Sequence, residues 1–168
     1  MSIPPDTLAA LAKMPDEFER VLRSVPARYT TWRPASWEGV PGETFSALEH
    51  ACHLRDIETD GYQVRIRRTL EESSPLLGSI DGYALARERR YPEADPSQVL
   101  AAFRSARNAT LHQIERISED QLARPATFEG HGGITLRGLV HVLCSHDLQH
   151  LACMQWLLAK ITSDAART

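Results

Sequence analysis

The stretch LVHVLCSHDLQHLACMQWL, residues 139 to 157, carries Leu139, Leu143, His146, His150, Cys153 and Leu157 at alternating spacings of four and three. That spacing is the apolar seam of a packed helix. Two of its members are histidines four positions apart, which stand one above the other on a helix face, close enough to share a ligand. Polar rings placed in a seam must be satisfied by something. A metal ion is one way to do so, and a network of hydrogen bonds is the other.

The rest of the chain frames this helix. With 168 residues, 42% hydrophobic and 24% charged, it has the length and composition of one domain, residues 1–168, with a sizeable core. A net charge of -3 gives no electrostatic reason to expect nucleic acid or an anionic membrane as partner. No apolar run approaches the roughly 20 residues needed to span a bilayer. The N-terminus lacks the basic and apolar regions of a secretory signal. Three cysteines, Cys52, Cys144 and Cys153, form no spaced framework. An odd count without a signal peptide points to reduced thiols and a cytoplasmic location.

Three further helices are expected. The first covers residues 5 to 23, with Leu8, Leu11, Phe18 and Leu22 on one face; Pro15 predicts a kink or a division into two short helices. Residues 26 to 43 read as a long loop, marked by Pro26, Pro34, Gly39, Pro41 and Gly42, in which Trp32 and Trp37 cover something. The second helix begins at Ser46-Ala-Leu-Glu49, a capping-box pattern, and runs to about residue 72 past Gly61, which weakens it slightly. Residues 73 to 95 form a second long connection with a turn at Asp81-Gly82. Asp95-Pro96 starts the third helix, whose seam is Leu100, Phe103, Arg107, Thr110, Ile114 and Ile117. Ser118 and Gln121 mark a short capped turn. A Gly-rich loop, residues 129 to 133, then leads to Thr135 as N-cap of the last helix, which runs to about residue 160. Four long helices and no convincing strand pattern predict an all-α four-helix bundle, and the long connections after helices one and two favour crossovers.

A useful metal site needs a third ligand. The second helix offers His50 and His53; His53 shares a face with Ile57 and Val64, and His50 lies one turn earlier. Three histidines plus open positions make a catalytic type of site, able to lower the pKa of bound water or thiol. Three imidazoles suit zinc, nickel, iron or copper. Arg107, in an otherwise mostly apolar stripe, either pairs with Asp147 or holds a substrate carboxylate. Asp147 is about 100° around the helix from His146, so it is a candidate for orienting a ligand and not for binding the metal. His141 and His112 read as surface residues, and His131 as solvated or pocket-lining. Cys153 reads as a small buried apolar residue.

Together these residues resemble the DinB-like superfamily, including its YfiT-type members. The features that match are Trp32-Arg33-Pro34; Phe45-Ser46 through Glu49 to His53-Leu54 with Asp56 and Glu58; Phe103 and Arg107; and Thr135-Leu136 leading to His146-Asp147 and His150. Phe45 departs from the pattern, standing where tryptophan often precedes the serine, which should affect packing at the start of the second helix and not ligation. The resemblance implies a four-helix bundle, a homodimer, and a divalent metal held by His53, His146 and His150 with His50 as neighbour. It also implies small-molecule chemistry, with thiol-dependent S-transferases and isomerases among its characterised members. The leading expectation is therefore a metal-dependent S-transferase that uses a low-molecular-weight thiol. Its electrophile would bind under the loops carrying Trp32, Trp37 and Asp81, with Arg107 or Arg137 fixing a carboxylate. Metal-assisted hydrolysis is the alternative, for which the sequence names no clear base. A non-catalytic metal-binding or stress-response bundle is the third, and predicts a fourth protein ligand such as Cys153 or Asp56.

Overall fold

The computed structural model describes residues 2–38, 40 and 42–165. Gly39 and Pro41, two of the loop markers, lie outside the described residues. Helix α1 spans Pro5–Ser24 without interruption, so Pro15 does not split it; Pro15 is buried within the helix beside Met14 and Phe18. Helix α2, Ala47–Asp56, opens with the expected capping box: Ser46 accepts from the Glu49 N–H, and the Glu49 carboxylate accepts from the Ser46 N–H. The same carboxylate pairs with Arg33, which ties the Trp-Arg-Pro loop to the helix start.

The expected second helix continues to residue 71, but not as one regular helix. Ile57–Tyr62 is a π-helical segment joining α2 to α3, Gln63–Glu71. Wider turns of this kind are rare and concentrate at functional sites. The extra residue rotates everything after it, so the inward face runs His53, Ile57, Tyr62, Arg65 and not on to Val64 as regular spacing predicts. Helix α4, Gly82–Glu88, occupies the second long connection; Asp81 caps it by accepting from the Ala84 N–H, where a turn was expected. Helix α5 is Pro96–Ile114, capped by Asp95; α6 is the short turn Glu119–Leu122, capped by Ser118; α7 is Leu136–Ala165. Thr135 accepts from the Gly138 N–H at the start of α7, as expected of its cap.

Strands are present, contrary to expectation. β1 (Leu76–Leu77) pairs in parallel with β2 (Pro125–Phe128), which pairs antiparallel with β3 (Gly132–Thr135). They are too short for a period-two pattern to stand out. Gly130 and Gly132 have positive φ, so the Gly-rich loop is the turn of this hairpin. The sheet joins two connections that are remote in sequence and lays them over one part of the bundle.

Within the bundle, α1 packs on α5 and α7, and α2 packs on the same two helices. The connections after α1 and after α5 therefore join helices on opposite corners, whereas the long one after α3 joins neighbours. The pairs α1/α5 and α2/α7 run antiparallel: Arg104 reaches Asp16 and Glu19 while Arg107 reaches Leu11, and His50 and His53 meet His150 and His146. Two apolar clusters fill the interior. One contains Phe18, Leu54, Phe103, Met154 and Leu157, and the other Leu11, Ile57, Ile66, Ile114, Leu139 and Leu143. Between them lies a buried polar layer built from His53, Glu58, Arg107, Asp147 and His150.

Candidate metal centre

Helices α2 and α7 bring four imidazoles into this layer. His53 Nε2 lies 3.3 Å from His146 Nε2, and His150 Nε2 lies 3.2 Å from the same atom. Ligand atoms of all three fall within 4.8 Å of one another. His50 does not join them. Its Nδ1 lies 2.8 Å from His150 Nδ1, on the far side of that ring. Helix phase left His50 and His53 open, and the structure separates them: His53 faces the cluster and His50 backs it.

Hydrogen bonds alone do not satisfy this arrangement. His146 Nε2 makes both of the short contacts, yet one ring nitrogen either donates one hydrogen or offers one in-plane lone pair. Only one contact can then be a hydrogen bond, and the other sets like against like. His53 Nδ1 and His146 Nδ1 are also buried without a hydrogen-bond partner. Burial and the neighbouring rings oppose protonation: burial first, then His146 and His50, pushes the pKa of His53 down to about 2, and burial then His146, His50 and His53 push that of His150 well below the usual range. Neutral imidazoles at His53 and His150, each with its Nε2 within 3.3 Å of His146 Nε2, make a donor set suited to a divalent cation. The two short separations also fit, since a tetrahedral shell of ~2.0–2.1 Å bonds has edges of about 3.3–3.4 Å. In that protonation state His150 donates from Nδ1 to His50, which fixes the tautomer and the ring direction.

Local sequence explains the fit. Phe45 lies 5.7 Å from His50 and 5.3 Å from His53, ring to ring, so its effect reaches the candidate ligands as well as the helix start. A Cβ on Gly82 would stand 2.9 Å from His53 Cε1, so glycine is what lets the start of α4 close over that ring.

A cavity of about 460 Å³ adjoins the cluster, lined by His53 and His146 together with Glu43, Tyr62, Arg65, Ser79, Phe128 and His131. Glu43 is a residue that sequence reading passed over: its carboxylate oxygens lie 3.9 Å from His53 Nε2 and 3.8 Å from His150 Nε2. It comes from a loop, where no periodicity marks direction. Trp32 and Trp37 do not line the cavity; Trp32 packs edge-on against Tyr29 and Trp37 stacks on Trp156. Asp81 is occupied capping α4. The roof comes from Ser79, Ile80 and the β2–β3 hairpin instead, with His131 at its edge, stacked 4.7 Å from Phe128. His112 and His141 are exposed, as expected.

Arg107 and Asp147 stand beside the cluster and outside the cavity. Arg107 is fully buried, donates twice to Glu58 at 3.0 and 2.6 Å and once to the Leu11 carbonyl at 3.0 Å, and lies 2.6 Å from Asp147 Oδ2 in a close ion pair. The expected pairing with Asp147 is present, and each guanidinium nitrogen is engaged inside the chain and away from the cavity. Asp147 Oδ1 reaches to 3.6 Å from His146 Nδ1, on its own helix and not on a neighbouring one. Asp56, suggested as a fourth ligand, is held by Arg55, Arg89 and the Tyr91 hydroxyl. Arg137 is not among the cavity's lining residues.

Among the described residues no helix is long and apolar enough to cross a membrane. The fold is similar to that of YfiT from Bacillus subtilis, a protein described as a probable metal-dependent hydrolase with an unusual four-helix bundle topology. The TM-score is 0.81 at 17% identity, covering 96% of this chain and 91% of that one. At such an identity the likeness is one of fold. No curated protein matches the sequence. The family model of the DinB superfamily matches residues 10–154, a span that takes in most of α1, the capping box, all four clustered histidines and the Arg107 ion pairs. The bundle, its polar layer and this match agree: the chain belongs to the DinB superfamily.

Proposed function

We propose that the protein is a metal-dependent enzyme acting on a small molecule, with His53, His146 and His150 as the metal ligands. The observation that carries this reading is the convergence of three imidazole Nε2 atoms, from buried His53 and His150 and half-buried His146, next to an open cavity. A divalent ion held there supplies Lewis acidity and brings the pKa of a bound water or thiol toward neutrality. The nearness of a 460 Å³ cavity and the engagement of Asp56 elsewhere favour an open catalytic site over a closed structural one.

Hydrolysis is the reading we favour, because Glu43 supplies the base that the sequence did not name. Its carboxylate accepts a proton from the attacking water and returns it to the leaving group, while Tyr62, 5.8 Å from the His146 ring, walls the reacting end. The description of YfiT as a probable metal-dependent hydrolase agrees with this reading. Thiol transfer is the second reading. It is favoured by a cavity that admits a small molecule beside the centre and has no cysteine in its lining, so that the thiol would arrive as a co-substrate.

The test begins with elemental mass spectrometry on tag-free protein, wild type and His150→Ala. One metal per chain, lost in the variant, is the expected result; none after reconstitution sinks the proposal. A screen of esters and amides, with and without small thiols, then separates the two chemistries. Glu43→Gln should retain the metal and lose about 10²–10⁴ in kcat for hydrolysis. A cytoplasmic location is supported by the free thiols of Cys52 and Cys144. A homodimer, supported by the family resemblance, is checked by light scattering.

A further inference from the structure

Two arginines are buried among the described residues, and they are treated in opposite ways. Arg107 has two carboxylates. Arg65, 6% exposed, has none within ion-pair distance among the described residues. Its Nε and Nη2 both donate to one acceptor, the Gly78 carbonyl, at 3.2 and 2.9 Å. The guanidinium lies 4.5 Å from the Phe128 ring centre and 5.2 Å from that of Tyr62. A Cβ on Gly61 would come within 2.9 Å of Nη1, so the glycine of the π-helical segment makes room for the group. Aromatic faces and one carbonyl offset only part of the cost of burying a full charge.

This cation lines the same cavity as the histidine cluster. Tyr62 stands between them, 5.8 Å from the His146 ring. Apolar surface exceeds polar surface in this cavity: Ile57, Ile80, Phe128 and Val142 line it beside polar residues that include Glu43 and Gln149. A ligand that complements such a cavity has an apolar body and one anionic end. With the Nε–Nη2 edge on the Gly78 carbonyl, the Nη1–Nη2 edge of the planar guanidinium is the one left to match a carboxylate.

We propose that Arg65 binds the carboxylate of an amphipathic organic acid whose other end lies at the histidine cluster, which makes small organic acids the substrate class of this site. The inference deepens the proposed function and rests on its reading of the cavity as the substrate's. The carboxylate completes the ion pair that the fold leaves open, as Glu58 and Asp147 do for Arg107.

The test uses 3-phenylpropionate and its neutral amide as probes, with binding measured by calorimetry on metal-free and zinc-loaded protein. Metal-free wild type should prefer the acid at least tenfold. Arg65→Met should abolish the preference, and Arg65→Lys, which keeps the charge without the fork, should retain part of it. Acid and amide binding within twofold of each other, or an undiminished preference in Arg65→Met, overturns the proposal. Should Arg65→Met fail to fold, the wild-type preference and its reduction in Arg65→Lys decide the matter. Binding of the acid only in the zinc-loaded protein, unaffected at Arg65, overturns the inference and leaves the metal reading standing. Arg65-dependent binding in a protein that takes up no metal does the reverse.

Discussion

His146 and Asp147 are adjacent in sequence, yet they belong to polar clusters built on opposite principles. Asp147 joins Arg107 and Glu58, where buried charges of opposite sign meet and every Arg107 nitrogen has a partner. His146 joins His53 and His150, where like groups face one another at 3.2–3.3 Å and ring nitrogens are left over. The first cluster pairs its cation with both carboxylates inside the chain and ties α5 to α7 and to the π-helical segment. The second is incomplete without something from outside. A buried polar group that is satisfied internally points to structure, and one left unsatisfied beside a cavity points to a ligand.

The comparison can be broken by removing each cluster in turn. Among substitutions, the largest effect is expected from Arg107→Met, which leaves Glu58 and Asp147 buried without their cation; a loss of about 3–5 kcal/mol in urea unfolding is expected, with or without metal. A loss below about 1 kcal/mol would mean that the charge cluster does not hold the bundle together.

Acid should act next, and on the histidines. His50, with a pKa lowered to about 3 chiefly by burial, and His53, lowered to about 2, stay neutral in the folded chain, whereas unfolded histidine takes up a proton near 6.5. Between those limits the unfolded state binds more protons. Stability of the metal-free protein should therefore fall as pH drops from about 6.5 toward 3, by at most about 1.4 kcal/mol per pH unit for each histidine. A flat profile between pH 6.5 and 4 would contradict the neutral packing of these rings.

Gly82→Ala sharpens the contrast, because its Cβ meets a candidate ligand and not the charge cluster. A cost of about 1–3 kcal/mol is expected, with weaker metal uptake in a competition titration. The smallest change in stability is expected from His146→Ala in metal-free protein, within about 1 kcal/mol, since with one hydrogen bond the substitution also removes a contact that sets like against like. The same variant should take up no metal, so a site residue would be lost at little cost to the fold. A loss matching that of Arg107→Met would mean that the histidines are themselves structural.

The parts of this protein legible in the sequence are those governed by local periodicity. The seam of α7, with Leu139, Leu143, His150, Cys153 and Leu157 buried as spaced, is one. The caps at Ser46, Asp95, Ser118 and Thr135 are others. Such signals depend on one turn of backbone and on which face is apolar. From them followed the bundle and the pairing of His146 with His150, and with the family pattern the choice of His53. What periodicity could not carry was decided in three dimensions. The π-helical turn shifts the helix phase by one residue, so Arg65 takes the inward place that regular spacing gives to Val64; no local pattern in Ile57–Tyr62 announces it. The small sheet depends on pairing Leu76 with Thr127, a contact remote in sequence that strands of two and four residues do not foretell. Glu43 reaches the histidines from a loop, where direction is set by what the loop packs against. Sequence by itself determined which side chains a regular helix offers inward, because such a helix has a fixed period. Only the tertiary structure decided which of them meet, because that depends on packing between segments that carry no information about one another.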